Sequence, residues 1–276
     1  PSMKMLTLLA GAMGAGVCLA QGTGSAPDSE VSHAERPAWD AAVGLITHHS
    51  PNYLGAVDSR WHLTPGVFVR YGRFSITTSS GFVTRRNDEV ERGVAAELVS
   101  RDDFRVSLSA RTDGGRDAGD DPALSGLPDV RPTVRARLST VKKFEGGWRL
   151  GLGWSPDLLG RGGGATLDLS VSHERRVGPG RWMTAGISST WADARYMQSY
   201  FGITPAQSSA SGHPSYQPGA GLRDLSLGIG WRAELGPHWL GFVGAGLTRL
   251  AGPTLDSPLT RRRNVGGLNG GLAWRF

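Results

Sequence analysis

The stretch Asp224-Leu225-Ser226-Leu227-Gly228-Ile229-Gly230-Trp231-Arg232-Ala233-Glu234-Leu235 has a period of two. Leu225, Leu227, Ile229, Trp231, Ala233 and Leu235 fall on one face, and the small or polar residues fall on the other. Successive side chains of a strand point to opposite sides, whereas a helix needs apolar residues three and four apart. This stretch is therefore a strand. Trp148, Leu150, Leu152 and Trp154 alternate with Arg149, Gly151, Gly153 and Ser155 in the same way. Phe104, Val106, Leu108 and Ala110 alternate with Arg105, Ser107, Ser109 and Arg111.

Alternation alone suits two architectures. In a soluble sandwich the apolar face turns to a core; in a bilayer barrel it turns outward to lipid, and the polar face lines a lumen. The spacing of the strands separates the two. Strands are expected at 39–48, 64–72, 73–83, 91–100, 103–111, 131–142, 147–155, 164–176, 181–193, 221–235, 238–249 and 265–276, an even total of twelve. Their connections alternate in length. Short ones fall at Gly72-Arg73, Arg101-Asp102, Lys143 to Gly146, Val177 to Gly180 and Gly236-Pro237. Long ones fall at 49–63, 84–90, 112–130, 156–163, 194–220 and 250–264. A sandwich has no reason to sort its loops so. The expectation is an all-β, transmembrane antiparallel β-barrel of about twelve strands in the outer membrane, with both termini periplasmic.

Composition agrees. Gly makes up 41 of 276 residues, about twice the usual share, and Trp outnumbers Phe by 9 to 8. Glycines suit a wall that bends and packs closely. Trp39, Trp182, Trp191, Trp239 and Trp274, near strand ends, are expected in interfacial girdles. The last strand places Leu268, Leu272, Trp274 and Phe276 on one face, a pattern that resembles the C-terminal signal read by the barrel-assembly machinery.

At the other end, Met3-Lys4 and the apolar run to Ala20 read as a signal peptide over 1–20, with cleavage after Ala20. Cys18, the sole cysteine, offers a lipid attachment site as the alternative, against which stands Val17 where a small residue is wanted. Residues 21–38 are polar and read as a disordered periplasmic leader, so the barrel occupies 39–276.

The formal charge is +6, but the arginines are scattered and no nucleic-acid motif accompanies them, so nucleic acid is not an expected partner. Lipopolysaccharide, outer-membrane lipid or an acidic solute fits better. Arg105, Arg111, Arg135, Arg137, Arg149 and Arg232 are expected to face the lumen.

The loop after the ninth strand carries the most distinctive text: Trp191-x-Asp193-x-x-Tyr196-Met197-x-x-Tyr200-Phe201-Gly202, then Ser211-Gly212. With Pro51-x-Tyr53-x-Gly55 and Arg70-Tyr71-Gly72-Arg73-Phe74 near the start, it resembles the MipA/OmpV family of outer-membrane proteins over 39–276. The resemblance implies a scaffold that brings together a lytic transglycosylase and a murein synthase, or a porin-like surface protein. The family supplies no catalytic residues to carry over. By bulk alone, the aromatic residues from Tyr196 to Phe201 could close over the barrel mouth, or touch a ligand.

No enzyme or cofactor signature emerges. His48 and His49 are neighbours on a strand and face apart, so they cannot share a metal without a bend. His173 stands beside Ser172 and Glu174 and reads as a solvated strand end, with no nucleophile elbow around it. Asp117, Asp120 and Asp121 lack calcium-loop spacing and read as a solvated loop. Two functions remain open: a non-enzymatic scaffold, or a small pore that favours anions.

Overall fold

The structure, a computed structural model, describes residues 39–79 and 91–276. Among these residues the chain forms twelve strands: β1 Trp39–Pro51, β2 Ser59–Tyr71, β3 Phe74–Thr77, β4 Gly93–Ser100, β5 Phe104–Asp113, β6 Thr133–Lys143, β7 Trp148–Pro156, β8 Ala165–Gly178, β9 Arg181–Ala192, β10 Gly221–Glu234, β11 Trp239–Leu250 and β12 Asn264–Arg275. Each pairs with its neighbours in sequence, and β1 pairs with β12, so the sheet closes. All pairings are antiparallel. The expected signal peptide and leader at 1–38, the tail of the third strand and the loop at 84–90 involve residues outside the described ones.

The outward face carries Leu225, Leu227 and Ile229 on β10 and Ile187 on β9, all exposed. Their inward neighbours Asp224, Ser226, Thr184 and Thr190 are buried. Large apolar side chains outside and small polar ones inside is the polarity of a barrel in lipid, the inverse of a soluble core. No described helix is long and apolar enough to cross a membrane; strands form the wall.

β4 and β11 alternate least clearly in sequence, and each has its own reason. β4 carries an irregularity between Glu97 and Val99 that shifts its pairing with β5. β11 turns two apolar residues inward: Leu240 is buried, and Phe242 packs with Ala42, Ile46, Phe68 and Ala273. That cluster lies on the lumen side of the β1–β12 seam.

The short connections gather at one end with Trp39 and Phe276. The long ones gather at the other, the side that faces outward in bacterial barrels. Aromatic pairs mark the wall's rims: Trp274 stacks with His238 at 4.8 Å and meets Trp239 edge-on at 5.1 Å, and Trp148 lies 4.8 Å from His173. His173, toward an exposed strand end as expected, also packs against an aromatic neighbour. Trp182 departs from expectation. It shares its parity on β9 with the buried Thr184 and Thr190, so it faces the lumen and not the lipid.

Placing a charge on the outer face should be costly. Ile229→Arg, near the middle of β10, is expected to lower unfolding free energy in denaturant titrations by about 2–4 kcal/mol.

Candidate functional site

The long loop after β9 folds into two short helices, α1 Ala194–Phe201 and α2 Pro205–Ser211. The Asp193 carboxylate caps α1 by accepting the Tyr196 N–H at 2.7 Å, and its other oxygen accepts the Ala165 N–H at 2.9 Å. Thr204 and Gln207 form a capping box on α2, with Pro205 inside its first turn and Gly212 left-handed at its end. Gly164 approaches so closely that a Cβ there would lie 2.3 Å from the Tyr196 nitrogen, at a φ of +57°. Only glycine fits that position.

Tyr196, Met197, Tyr200 and Phe201 lie one helical turn apart in pairs and are all buried. They pack with Val130 before β6, Ala192 of β9 and Leu250 of β11, and Leu54 and Leu255 flank the cluster. A second cluster joins Tyr53, Ala56, Leu124, Leu127, Ile203 and Leu259. These residues come from connections spaced around a closed ring, so a core that unites them must cross the opening. The loops form a cap.

Hydrogen bonds lock the cap where burial would otherwise strand polar groups. The Arg116 guanidinium donates to the Tyr200 carbonyl at 2.7 Å, and the Ser257 hydroxyl donates to the Phe201 carbonyl at 2.7 Å. Both acceptors are terminal carbonyls of α1, which lack partners within the helix. Tyr53 donates to the Leu259 carbonyl at 3.0 Å. Burial, with Asp121 beside it, pushes the Tyr53 hydroxyl up to about 12. Burial raises Tyr200 too and pulls the Arg116 guanidinium down. In the third loop, Asp121 is buried rather than solvated. It accepts the Ala123 N–H at 3.0 Å and the Asn52 amide at 3.1 Å, while Asp117 accepts the Gly119 N–H.

Beneath the cap, the inward arginines meet carboxylates. Arg135 is ion-paired with Asp113, donates to the carbonyls of Ser155, Gly163 and Gly164, and sits 5.4 Å from the Tyr196 ring. Arg137 reaches Asp168 at 2.6 Å and Glu91 at 3.3 Å. Glu97 lies between Arg70 at 3.5 Å and Arg105 at 3.8 Å. Arg149 and Glu174, both buried, are 3.4 Å apart. Arg111 shares the inward face of β5 and is partly buried. Arg232 lies over Trp182 with its guanidinium carbon 4.3 Å from the ring centroid.

The sequence expectation of a cationic lumen leaves out these carboxylates, although their parity places them on the arginines' face. Glu97 opposes Ser107, Asp113 opposes Thr133, and Asp168 opposes Gly153. Their presence makes the lumen a network of pairs and not a plain cationic surface.

The remaining sequence candidates fall in structural places. His48 stacks on His62 across the strands at 4.8 Å, and His49 turns the other way beside Trp61. Among the described residues no three His, Cys, Asp or Glu side chains gather as a metal site. Ser211 donates to the Gln207 carbonyl within α2. Trp191, Leu268, Leu272 and Phe276 are exposed on the wall, and Trp274 is partly covered by its aromatic neighbours.

The fold and its surface polarity define an outer-membrane β-barrel. The family described as "MltA-interacting protein MipA" matches residues 43–276, and the chain belongs to that family. It is 24% identical over 262 residues to the MltA-interacting protein of Escherichia coli strain K12, covering 94% of this chain and 98% of that one. The Shigella flexneri protein of the same name matches equally. Among solved structures, an outer membrane channel from Pseudomonas putida F1 aligns with a TM-score of 0.46 at 8% identity, over 90% of this chain and all of the other.

Two outcomes test the cap. Met197→Ala should open a cavity in it and lower the resistance of residues 193–220 to protease, at a cost of about 2–5 kcal/mol in local stability. The hydroxyl of Tyr53 titrates higher in the folded cap than in an unfolded chain, so its contribution is complete below about pH 10 and is lost as pH rises toward 12. Loop proteolysis should therefore rise across that window, and the rise should be smaller in Tyr53→Phe.

Proposed function

We propose that this barrel is a non-enzymatic interaction protein that holds murein-remodelling enzymes at the inner surface of the outer membrane. The capped mouth carries the reading. A packed core of Tyr196, Met197, Tyr200, Phe201 and their loop partners obstructs the outward opening, which suits an anchor better than an aperture. The relatives are named for an interaction with MltA, and the family resemblance implies the partner class: a lytic transglycosylase, with a murein synthase as the second enzyme. The short turns offer little surface of their own, so residues 21–38 serve as the further tether.

The other partners follow from the wall. Outer-membrane lipid and lipopolysaccharide meet its apolar belt and aromatic rims. Leu268, Leu272, Trp274 and Phe276 serve as the signal to the assembly machinery. The inward histidines and carboxylates noted above serve in ring stacking, capping and charge pairing, which supports a role without catalysis.

One observation favours a second reading, an anion-favouring channel. The wall from β9 to β11 presents small residues to the lumen, with Gly186 opposite Gly228 and Gly228 opposite Gly246.

Capture from detergent-solubilised envelopes with the full folded chain as bait should enrich a lytic transglycosylase, and deleting residues 21–38 should abolish the enrichment. Recovery of lipopolysaccharide and assembly factors alone would overturn the scaffold. In planar bilayers no steady conductance is expected. Steady anion-selective events, reduced by Arg135→Ala and Arg137→Ala, would establish the channel instead.

A further inference from the structure

Among the described residues, Arg232 has the most buried polar atoms left without a hydrogen-bond partner. Its residue is 2% exposed, yet among the described residues none of Nε, Nη1 and Nη2 has a hydrogen-bond acceptor. A guanidinium carries five N–H donors in a rigid fork, and burying them without acceptors is costly. The Trp182 ring covers one face at 4.3 Å, which stabilises the cation but accepts nothing at the edge of the fork.

The nearby carboxylates are committed elsewhere. Glu174 accepts from Arg149 at 3.4 Å and from the Thr184 hydroxyl at 3.5 Å. Glu234 pairs with Arg275 at 3.2 Å. Arg275 in turn leaves its own buried Nε without an acceptor. Among the described residues, Arg232 has the guanidiniums of Arg149 and Arg275 and the carboxylates of Glu174 and Glu234 for charged neighbours. The donors left without an acceptor here belong to Arg232 and Arg275.

We propose that Arg232, seated on Trp182 and assisted by Arg275, is an oxyanion site that takes a phosphate or carboxylate group of a small solute entering from the short-turn end. A fork of N–H donors matches two oxygens of either group with paired, charge-assisted bonds. Entry from that end follows from the register. Arg232 lies two residues from the end of β10, and Glu234 beside it is 42% exposed along its side chain. Entry from the opposite end would have to pass the cap. The aromatic floor favours a compact, planar or tetrahedral headgroup over a bulky one. The site is independent of the murein-enzyme reading, because it needs only the purified barrel.

The test is calorimetric titration of the full folded chain in a nonionic detergent, with inorganic phosphate in one arm and succinate in the other, against chloride at matched ionic strength. Saturable 1:1 binding is expected for at least one of them, together with a rise in thermal stability that grows with the logarithm of its concentration. Phosphate alone binding assigns phosphate-bearing solutes; succinate alone assigns carboxylates. Arg232→Met, which keeps an apolar chain over Trp182, should weaken binding by about tenfold or more while retaining heat-modifiable gel mobility. Arg249→Gln, an exposed arginine at the other end of the wall, should bind as the parent does. Heats that match chloride in both arms on the parent chain would overturn the site and leave the guanidinium to lumen water. So would an Arg232→Met barrel that folds and binds undiminished.

Discussion

Eight residue pairs join β1 to β12, from Ala42↔Arg275 to His49↔Leu268, and the rest of the molecule depends on that seam. In hydrocarbon an unpaired backbone group costs several kcal/mol, so a twelve-stranded sheet with two open edges has no stable place in a bilayer. Closure removes both edges at once. The seam is built for close approach. At Gly44 a Cβ would stand 2.3 Å from the Leu272 carbonyl oxygen, and the inner cluster of Ala42, Ile46, Phe68, Phe242 and Ala273 packs directly behind it. An apolar patch inside a polar lumen thus braces the one contact between strands farthest apart in sequence.

Once the wall is closed, its inward face is cut off from lipid and much of it from bulk water. Charges there need partners of their own, because the low-dielectric interior makes a lone charge expensive. Arg135 shows how the requirement is met and what it couples. Asp113 neutralises it, three carbonyls accept hydrogen bonds from its N–H groups, and the Tyr196 ring covers it. Two of those carbonyls belong to Gly163 and Gly164, and Gly164 abuts the N-terminus of α1. Wall and cap therefore share one hydrogen-bonded network. Loosening α1 would expose the partners of a buried cation, which sets a penalty on opening beyond the apolar packing alone.

Much of this was legible in the chain itself, for a definite reason. Alternation and loop sorting are local signals, and a closed antiparallel meander uses only local connections, so strand number, order and inward faces follow without any long-range inference. The face of Asp224, Ser226, Gly228, Gly230 and Arg232 is one such case. What local pattern cannot reveal is pairing across the lumen. Glu97, Asp113 and Asp168 passed unnoticed because their partners sit on other strands, even though their parity was readable. Trp182 was misplaced for a related reason. Proximity to a strand end suggested the girdle, while parity with Thr184 pointed inward, and parity governs wherever a strand is regular. The helices α1 and α2 escaped notice inside a long loop, yet Asp193-x-x-Tyr196 and Thr204-Pro205-x-Gln207 carry their capping signatures. Short helices held by tertiary packing give too few turns for periodicity to register.

The two ends of the lumen consequently differ in kind. Toward the long loops, most cations and helix-end carbonyls find partners: Arg116 serves Tyr200, Ser257 serves Phe201, and Arg135 serves Asp113, while among the described residues Arg116 Nε and the Tyr200 hydroxyl are left over. Such a network is stiff, since any movement breaks several charge-assisted bonds together. Toward the short turns, the interior combines the apolar seam cluster with Arg232 on Trp182, and among the described residues the three Arg232 nitrogens have no acceptor. A satisfied region resists new partners, because each must displace a bond already made. An under-coordinated one gains from them, because the desolvation cost has already been met in folding. The proposed oxyanion site therefore falls at the short-turn end of the lumen, where no cap intervenes and the proposed partners would also be met.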